Sequence, residues 1–169
     1  MGRIMTQFIP SIMITGQRGY IARNLIAAFA HVECNLFATS RTPHSENNNQ
    51  LLDLECPEDF DYSQVSTGSC VLHLASVSSP DRCVSDPHYA RRINVLGTCH
   101  FIETCLKQSA RVLFFSSDTV YGSGDDCYDE HSTCSPAGSY GKMKREVEKA
   151  FLGDPSFKVF RLSYVFSRT

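Results

Sequence analysis

The chain has 169 residues, of which 42% are hydrophobic and 20% are charged, proportions that suit one globular domain. Its formal net charge of −2 provides no basic field that would gather a phosphate backbone, so the composition argues against a nucleic-acid partner. No apolar run approaches the roughly 18–20 residues that are needed to cross a bilayer, so we expect no membrane span.

Short apolar runs alternate with helical stretches along the chain. The runs that predict strands are Ser11–Thr15, Asn35–Thr39, Leu51–Leu54, Cys70–Leu74, Val112–Ser116 and Lys158–Leu162. The segments that predict helices are Tyr20–His31, His88–Gln108 and Tyr140–Phe151, and those that predict loops are Thr42–Gln50 and Gly122–Gly138. This alternation is typical of an α/β fold with a doubly wound parallel sheet that helices cover on both faces.

The first strand passes into the first helix through a glycine-rich turn, Gly16-Gln17-Arg18-Gly19-Tyr20-Ile21. Gly16 can adopt a backbone shape that a Cβ atom would obstruct, and Gly19 lets the backbone approach a pyrophosphate closely. The helix N-terminus would then face the anion with unpaired N–H groups. The turn therefore predicts a phosphate cradle, with an ordinary strand–helix turn as the alternative.

The eight cysteines form an even set, which raises the question of disulfides. No Cys-x-x-Cys pair occurs, and Cys70, Cys99 and Cys105 lie within apolar segments, where free cysteine packs as a small hydrophobic residue. We therefore expect reduced thiols, no metal site and a cytoplasmic location, with disulfides or metal ligation as the less favoured alternatives.

Six motifs follow one another in an order that belongs together. They are Gly16-x-x-Gly19-x-x-Ala22, Leu52-Asp53-Leu54, His73-Leu74-Ala75-Ser76, Asn94-Val95-Leu96-Gly97-Thr98, Phe115-Ser116-Ser117-Asp118-Thr119-Val120-Tyr121-Gly122 and Tyr140-Gly141-Lys142-Met143-Lys144. On these motifs the chain is identified as a member of the extended short-chain dehydrogenase/reductase family, of the NAD-dependent epimerase/dehydratase type. The resemblance covers nearly the whole chain and implies that residues 1–169 form a Rossmann-type NAD(P)-binding domain.

The resemblance implies that Ser117, Tyr140 and Lys144 are the catalytic residues. Tyr140 and Lys144 are four residues apart, so both project from one face of a helix. We expect the Lys144 cation to lower the pKa of Tyr140, which would act as acid and base, while Lys144 also holds the nicotinamide ribose. Ser117 would hydrogen-bond the reacting oxygen. The alternative is an exposed tyrosine and lysine on an ordinary helix.

The same helix carries six charged residues that predict a solvated face: Lys142, Lys144, Arg145, Glu146, Glu148 and Lys149. The residues expected to contact the cofactor are Gly16, Gln17, Arg18, Gly19, Tyr20, Ile21, Arg41, Asp53, Leu54, Leu74, Ala75, Ser76, Asn94, Tyr140 and Lys144. For Asn94 two roles stay open, a bond to buried backbone or a place in a proton relay.

The residue two places after Ser117 narrows the reaction that the resemblance implies. The sugar 4,6-dehydratases of this family carry an acid there, whereas this chain has Thr119, and a hydroxyl cannot replace a carboxylate in an elimination. We therefore expect an epimerase or keto-sugar reductase that transfers hydride at a carbon of a nucleotide-activated sugar. The alternatives are an oxidoreductase on another carbonyl substrate and a non-catalytic NAD(P)-binding module.

The end of the second strand bears on the choice of cofactor. An acid at this place binds the ribose 2′-hydroxyl of NAD, whereas a basic residue accommodates the 2′-phosphate of NADP. Here the sequence is Thr39-Ser40-Arg41, without an acid, and Arg18 could approach the same phosphate. We expect NADP, with NAD as the alternative, because an epimerase would suit NAD better and Arg41 could be a solvated loop residue.

Members of this family continue past the sixth strand into a smaller domain that binds the substrate, and we expect that C-terminal domain to be absent here. They also form dimers through a four-helix bundle. The predicted long helix has an apparent surplus of apolar residues for such a homodimer, namely Ile93, Leu96, Phe101, Ile102, Cys105 and Leu106. A monomer, or aggregation through an uncovered sheet end, are the alternatives.

Overall fold

A computed structural model of the chain describes residues 9–42, 49–122 and 127–166. Its six strands are β1 (Ser11–Ile14), β2 (Asn35–Ser40), β3 (Asn49–Leu51), β4 (Cys70–His73), β5 (Arg111–Ser117) and β6 (Phe157–Leu162). They form one sheet in the order β3-β2-β1-β4-β5-β6, and every neighbouring pair is parallel. This is the strand order of a doubly wound Rossmann sheet, which confirms the predicted fold class.

The helices are α1 (Tyr20–Phe29), α2 (Pro80–Ser85), α3 (Pro87–Arg91), a π-helical segment (Arg92–Gly97), α4 (Thr98–Lys107) and α5 (Ser139–Phe151). One face of the sheet packs a large core under α4 and α5, which includes Phe101, Phe114 and Val147. The opposite face packs a smaller core under α1, which includes Ile14 and Ala22. Successive residues of one strand point to opposite faces, so each central strand contributes to both cores.

The third strand lies earlier in the chain than the predicted Leu51–Leu54. Pairing with β2 ends after Leu52, whose N–H donates to the Ser40 carbonyl at 3.0 Å. The Asp53 carboxylate then accepts the N–H of Glu55 at 2.9 Å, and this local bond turns the chain away from the sheet. Leu52 and Leu54 are nevertheless buried, which is why the run resembles a strand. The predicted loop Thr42–Gln50 overlaps β3, and its residues 43–48 lie outside the described ranges.

The predicted long helix His88–Gln108 is divided into α3, the π-helical segment and α4, and helix begins one residue earlier, at Pro87. The π-helical segment crosses close to the turn after β3, where a Cβ atom on Gly97 would lie 1.8 Å from the Leu54 carbonyl oxygen. The hydroxyl of Thr98, the first residue of α4, donates to the carbonyl of Ile93 in this segment at 2.9 Å. Apolar spacing alone does not distinguish α- from π-helical turns, so the sequence could not predict that the long helix is divided into three segments.

The apolar surplus expected on the long helix is wrong. Four of the six residues, Ile93, Phe101, Ile102 and Cys105, are buried in the chain's own core, and Leu106 packs against it. Leu96 alone of the six is largely exposed, at 58%. The helix faces both the sheet and the segment after β3, and this second contact takes up the residues that one sheet-facing stripe would not need.

Candidate active site

An open cavity of about 900 Å³ lies at the carboxyl ends of β1, β2, β4 and β5. The strand order reverses between β1 and β4, and ligands of open α/β sheets bind at such a switch point. Of the residues that the sequence proposed for the site, all but Gln17 and Asn94 line this cavity. The glycine turn borders one part, and Ser117, Tyr140 and Lys144 border another.

The glycine turn forms a tight cradle beneath the start of α1. Gly16 has a φ of +72°, and a Cβ atom there would lie 3.0 Å from the Ala75 Cα atom. Gly19 donates to the Gly16 carbonyl at 2.8 Å and precedes the helix without a side-chain cap. The first N–H groups of α1 therefore border the cavity without a capping side chain, an arrangement that suits a pyrophosphate.

Gln17 serves the cradle through its backbone. Its N–H donates to the Thr39 carbonyl at 2.9 Å, which ties the turn to the end of β2. Further along the wall, Arg18 donates to the Thr42 hydroxyl at 3.2 Å, and Arg41 donates to the Tyr89 hydroxyl at 2.5 Å. Sequence reasoning did not assign Tyr89 or Arg82 to the site, although both line the cavity: Tyr89 lies within the predicted long helix, and Arg82 lies before that helix.

Ser117 is the last residue of β5, and its hydroxyl takes part in three local bonds. It donates to the Asp118 carboxylate at 3.1 Å and accepts from the N–H and hydroxyl of Thr119 at 3.2 and 3.0 Å. These bonds hold the Ser117 side chain at the cavity wall. Thr119 therefore donates a hydrogen bond to Ser117. Its hydroxyl cannot accept a proton as the carboxylate of a dehydratase would at this position.

Lys144 lies on α5 with only 3% of its surface exposed. Its Nζ atom donates to the Phe115 carbonyl at 2.9 Å and lies 4.6 Å from the centre of the Phe114 ring. Burial lowers the pKa of Lys144 to about 8, although the Glu148 carboxylate opposes this shift. The ammonium group lies 5.6 Å from the centre of the Tyr140 ring, so the two residues do meet on one helix face.

The pKa of Tyr140 moves in the direction opposite to the one that the sequence predicted. Burial raises it, because the phenolate is poorly solvated there, and a hydrogen bond with Ser76 opposes the rise only in part. The prediction that Lys144 lowers this pKa is wrong for this arrangement, in which the lysine donates to the Phe115 carbonyl. Burial at this position therefore favours the protonated phenol over the phenolate.

The solvated face predicted for α5 is wrong at two positions, Lys144 and Glu148. Glu148 is fully buried, and its carboxylate accepts from Ser116 at 2.6 Å, from Arg145 at 2.8 Å and from Arg161 at 2.9 Å. Burial acts to raise the pKa of Glu148, but the bonds from Arg161, Ser116 and Arg145 outweigh it and lower the pKa. Lys144 and Glu148 are four residues apart and so lie on one helix face. This spacing was the feature of the sequence from which their shared burial could have been predicted.

Asn94 takes the first of its two open roles, a bond to buried backbone. Its side chain accepts from the Val77 N–H at 2.7 Å and donates to the Val77 carbonyl at 2.9 Å. Asn94 is itself buried and lies outside the cavity wall. It therefore fixes the segment after β4, which carries Ser76 into the site.

His73 is a second buried polar residue behind the cradle. The Thr15 hydroxyl accepts the N–H groups of Leu74 and Ala75, both at 3.0 Å, so its own proton points to His73 Nδ1 at 3.2 Å. His73 Nε2 then carries the ring proton and donates to the Thr98 hydroxyl at 3.4 Å. Burial, together with the nearby Lys144 cation, lowers the pKa of His73 to about 3, so the ring is neutral.

The described part of the chain holds no group of three His, Cys, Asp or Glu side chains that could bind a metal ion. Among residues 9–42, 49–122 and 127–166, no helix has the length and apolar character of a membrane span.

The family model described as the RmlD substrate binding domain matches residues 10–169. The chain belongs to this family. The match extends over the cradle, the cavity and the segment that carries Tyr140 and Lys144, and it confirms the assignment to the extended short-chain dehydrogenase/reductase family.

Two curated relatives show the range of proteins to which the chain is similar. Methionine adenosyltransferase 2 subunit beta of Rattus norvegicus is 29% identical over 151 residues, which are 85% of this chain and 44% of that protein. The dTDP-4-dehydrorhamnose reductase of Mycolicibacterium smegmatis is 26% identical over 161 residues, which are 92% of this chain and 46% of that protein. The chain thus spans about half the length of the curated relatives that it matches.

Solved structures share the fold. The dTDP-4-dehydrorhamnose reductase of Bacillus anthracis in complex with NADP has a TM-score of 0.77 at 20% identity, over 95% of this chain and 56% of that one. MoeE5 in complex with UDP-glucose and NAD has a TM-score of 0.75 at 24% identity, over 90% of this chain and 52% of that one. At these identities the likeness establishes the fold.

Proposed function

We propose that this chain carries the cofactor site and the proton-transferring residues of an NADP(H)-dependent reductase of nucleotide-activated keto sugars. The observation that carries the proposal is the single cavity that the glycine cradle and the set Ser117, Tyr140 and Lys144 border together. A similar reductase in Mycolicibacterium smegmatis and one solved with NADP support this substrate class and cofactor.

The residues present fit a dinucleotide. The cradle at Gly16 and Gly19 leaves space that a Cβ atom would reduce, and the start of α1 favours a pyrophosphate. Asp53, Tyr140 and Lys144 line the same cavity; Asp53 would contact the adenosine, and Lys144 and Tyr140 would hold the nicotinamide ribose. When bound, a nicotinamide cofactor supplies hydride transfer at the substrate carbon.

The chain's own residues position the substrate oxygen and move its proton. The raised pKa of Tyr140 keeps the phenol protonated, which suits a donor to a carbonyl oxygen that gains negative charge. Ser117 would donate a second hydrogen bond to that oxygen, after release from Asp118. Lys144 would have to leave the Phe115 carbonyl before its cation could stabilise the phenolate that is left when Tyr140 gives up its proton.

The similarity to a dTDP-4-dehydrorhamnose reductase favours reduction over epimerisation as the main reaction. A reductase needs the phenol as an acid, whereas an epimerase must begin by removing a proton from a hydroxyl group. Thr119, which donates to Ser117, leaves no carboxylate for a dehydratase at that position. The epimerase stays the nearest alternative within the same chemistry, and it would use NAD.

Turnover tests this proposal directly. The chain is incubated with NADPH and a panel of nucleotide-activated 4-keto sugars, and oxidation of the cofactor is followed by its absorbance. We expect Tyr140→Phe to lose turnover by about 100-fold or more while binding NADPH as the wild type does. Lys144→Ala should impair both. Full turnover in Tyr140→Phe would remove the proposed acid.

A second candidate function is a non-catalytic NADP(H)-binding subunit of a larger enzyme. The 29% identity with methionine adenosyltransferase 2 subunit beta favours it. NADPH binding without turnover on any sugar of the panel, in a chain with Ser117, Tyr140 and Lys144 unaltered, would favour this candidate over the reductase.

A homodimer in the cytoplasm also belongs to the proposal, on the strength of the family resemblance. The intramolecular pair of Arg91 with Glu146, at 2.6 Å, joins the two helical segments that would form the bundle. Because the expected apolar surplus is buried in the core, Leu96 supplies the exposed apolar contact on this face. Light scattering should give a constant dimer mass across concentrations, and a constant monomer mass would refute the bundle.

A further inference from the structure

Two residues outside the proposed catalytic set, Tyr89 and Arg82, line the cavity beside Arg41. The Tyr89 hydroxyl accepts from Arg41 at 2.5 Å, and the Arg82 guanidinium lies 4.8 Å from the centre of the Tyr89 ring. All three side chains line the same cavity as the cradle. Tyr89 therefore contacts both the guanidinium of Arg41, which follows β2, and the guanidinium of Arg82, which comes from α2.

The backbone of Tyr89 is fixed by a hydrogen bond and by the packing of its neighbour. It lies in α3, which begins at Pro87, and the Asp86 carboxylate accepts the Tyr89 N–H at 3.1 Å. The next residue, Ala90, is fully buried. Because a tyrosine on such a support has little freedom to lose, an arginine bonded to it is already ordered before a ligand binds.

The charges around the cavity are strongly unequal. Among the described residues that line it, four are basic, Arg18, Arg41, Arg82 and Lys144, and one is acidic, Asp53. The chain as a whole has a net charge of −2, so positive charge is concentrated at this site. Two guanidinium groups beside one ring repel each other, and an anion bound by both would relieve that repulsion.

We propose that Tyr89 and Arg82 determine cofactor specificity: Tyr89 fixes Arg41, and Arg41 and Arg82 together bind the 2′-phosphate of NADP(H). The planar forks of two guanidinium groups match the oxygens of a phosphate, and the 2′-hydroxyl of NAD(H) offers them no charge. This inference rests on the proposed function and assigns the residues that select between its two possible cofactors.

Adenosine 2′,5′-bisphosphate and 5′-AMP test the inference, because they differ only in the 2′-phosphate. Each is titrated calorimetrically into the purified chain. We expect the wild type to bind the bisphosphate more tightly. Tyr89→Phe should weaken bisphosphate binding by about threefold to tenfold, the effect of one hydrogen bond, and leave 5′-AMP binding unchanged. Arg82→Gln should weaken it at least as much.

Arg111→Gln is the matched control, since it removes the same charge at the exposed start of β5, outside the cavity wall. Tyr89→Phe keeps the ring under Arg82, and thermal unfolding of each variant checks the fold. A wild-type preference that survives in both Tyr89→Phe and Arg82→Gln overturns the inference and leaves the proposed function standing. Equal binding of the two probes by the wild type also overturns it. Failure of both NADPH and NADH to bind overturns the proposed function itself.

Discussion

The cradle and the Lys144 wall, which is the part of the same cavity bordered by Ser117, Tyr140 and Lys144, are held by different kinds of interaction. At the cradle, backbone shape decides: Gly16 has a positive φ, and Gly19 leaves the start of α1 open to the cavity. At the Lys144 wall and behind it, buried charged side chains decide, because Lys144 and Glu148 are held by partners on β5 and β6. A local sequence motif can therefore specify the first region, whereas the second exists only when distant segments have packed.

This difference predicts that the Lys144 wall and the buried charges behind it contribute more to folding stability than the cradle does. Glu148→Ala leaves Arg145 and Arg161 without their buried partner, and we expect it to lower the free energy of unfolding by about 3–5 kcal/mol. Glu146 lies on the same helix as Glu148 and forms an exposed ion pair with Arg91 of α3. Glu146→Ala removes that pair and should lower the free energy of unfolding by about 0–1 kcal/mol. Urea unfolding of both variants measures the difference, and equal losses would contradict this account.

The cradle should show the reverse pattern, a small effect on stability and a large one on binding. Gly16→Ala forces a side chain into a positive φ and against the Ala75 backbone, which should cost about 1–2 kcal/mol of unfolding free energy. NADPH affinity should fall much further, because the phosphate would lose its backbone contacts. Gly138→Ala is the control, since a Cβ atom there meets nothing within 4 Å. Unaltered NADPH affinity in Gly16→Ala would remove the cradle.

The difference between the two regions also explains what the sequence could predict. The sheet and its parallel strands follow from alternating apolar runs, and the cradle follows from two glycines and an alanine in fixed positions. Burial of Glu148 was missed because a charged helix residue is usually solvated, and its partners Ser116 and Arg161 come from other strands. The π-helical segment was missed because its cause, the close approach of Gly97 to Leu54, is a tertiary contact.

His73, which lies behind the cradle, should make the free energy of unfolding depend on pH. Its pKa is about 3 in the folded chain and about 6.5 when unfolded, so between these values the unfolded chain binds the extra proton. Stability is therefore lost as the pH falls below about 6.5, by at most about 1.4 kcal/mol per pH unit from this residue. His73→Gln should flatten that slope in urea unfolding at several pH values.

The exposed residue His100 provides the comparison for His73. His100→Gln is the matched control, because it makes the same substitution at an exposed position of the chain. Equal slopes in His73→Gln and the wild type would show that the buried ring does not contribute.

The central claim is that the cavity is a nicotinamide-cofactor site with a basic wall that prefers NADP(H). Calorimetric titration of the chain with NADPH and with NADH tests it most directly. The account predicts one dinucleotide per chain, tighter binding of NADPH, and a reversed preference in Arg41→Asp, which replaces the cation beside Tyr89 with an acid that suits the 2′-hydroxyl. Absence of binding by both dinucleotides would contradict the claim.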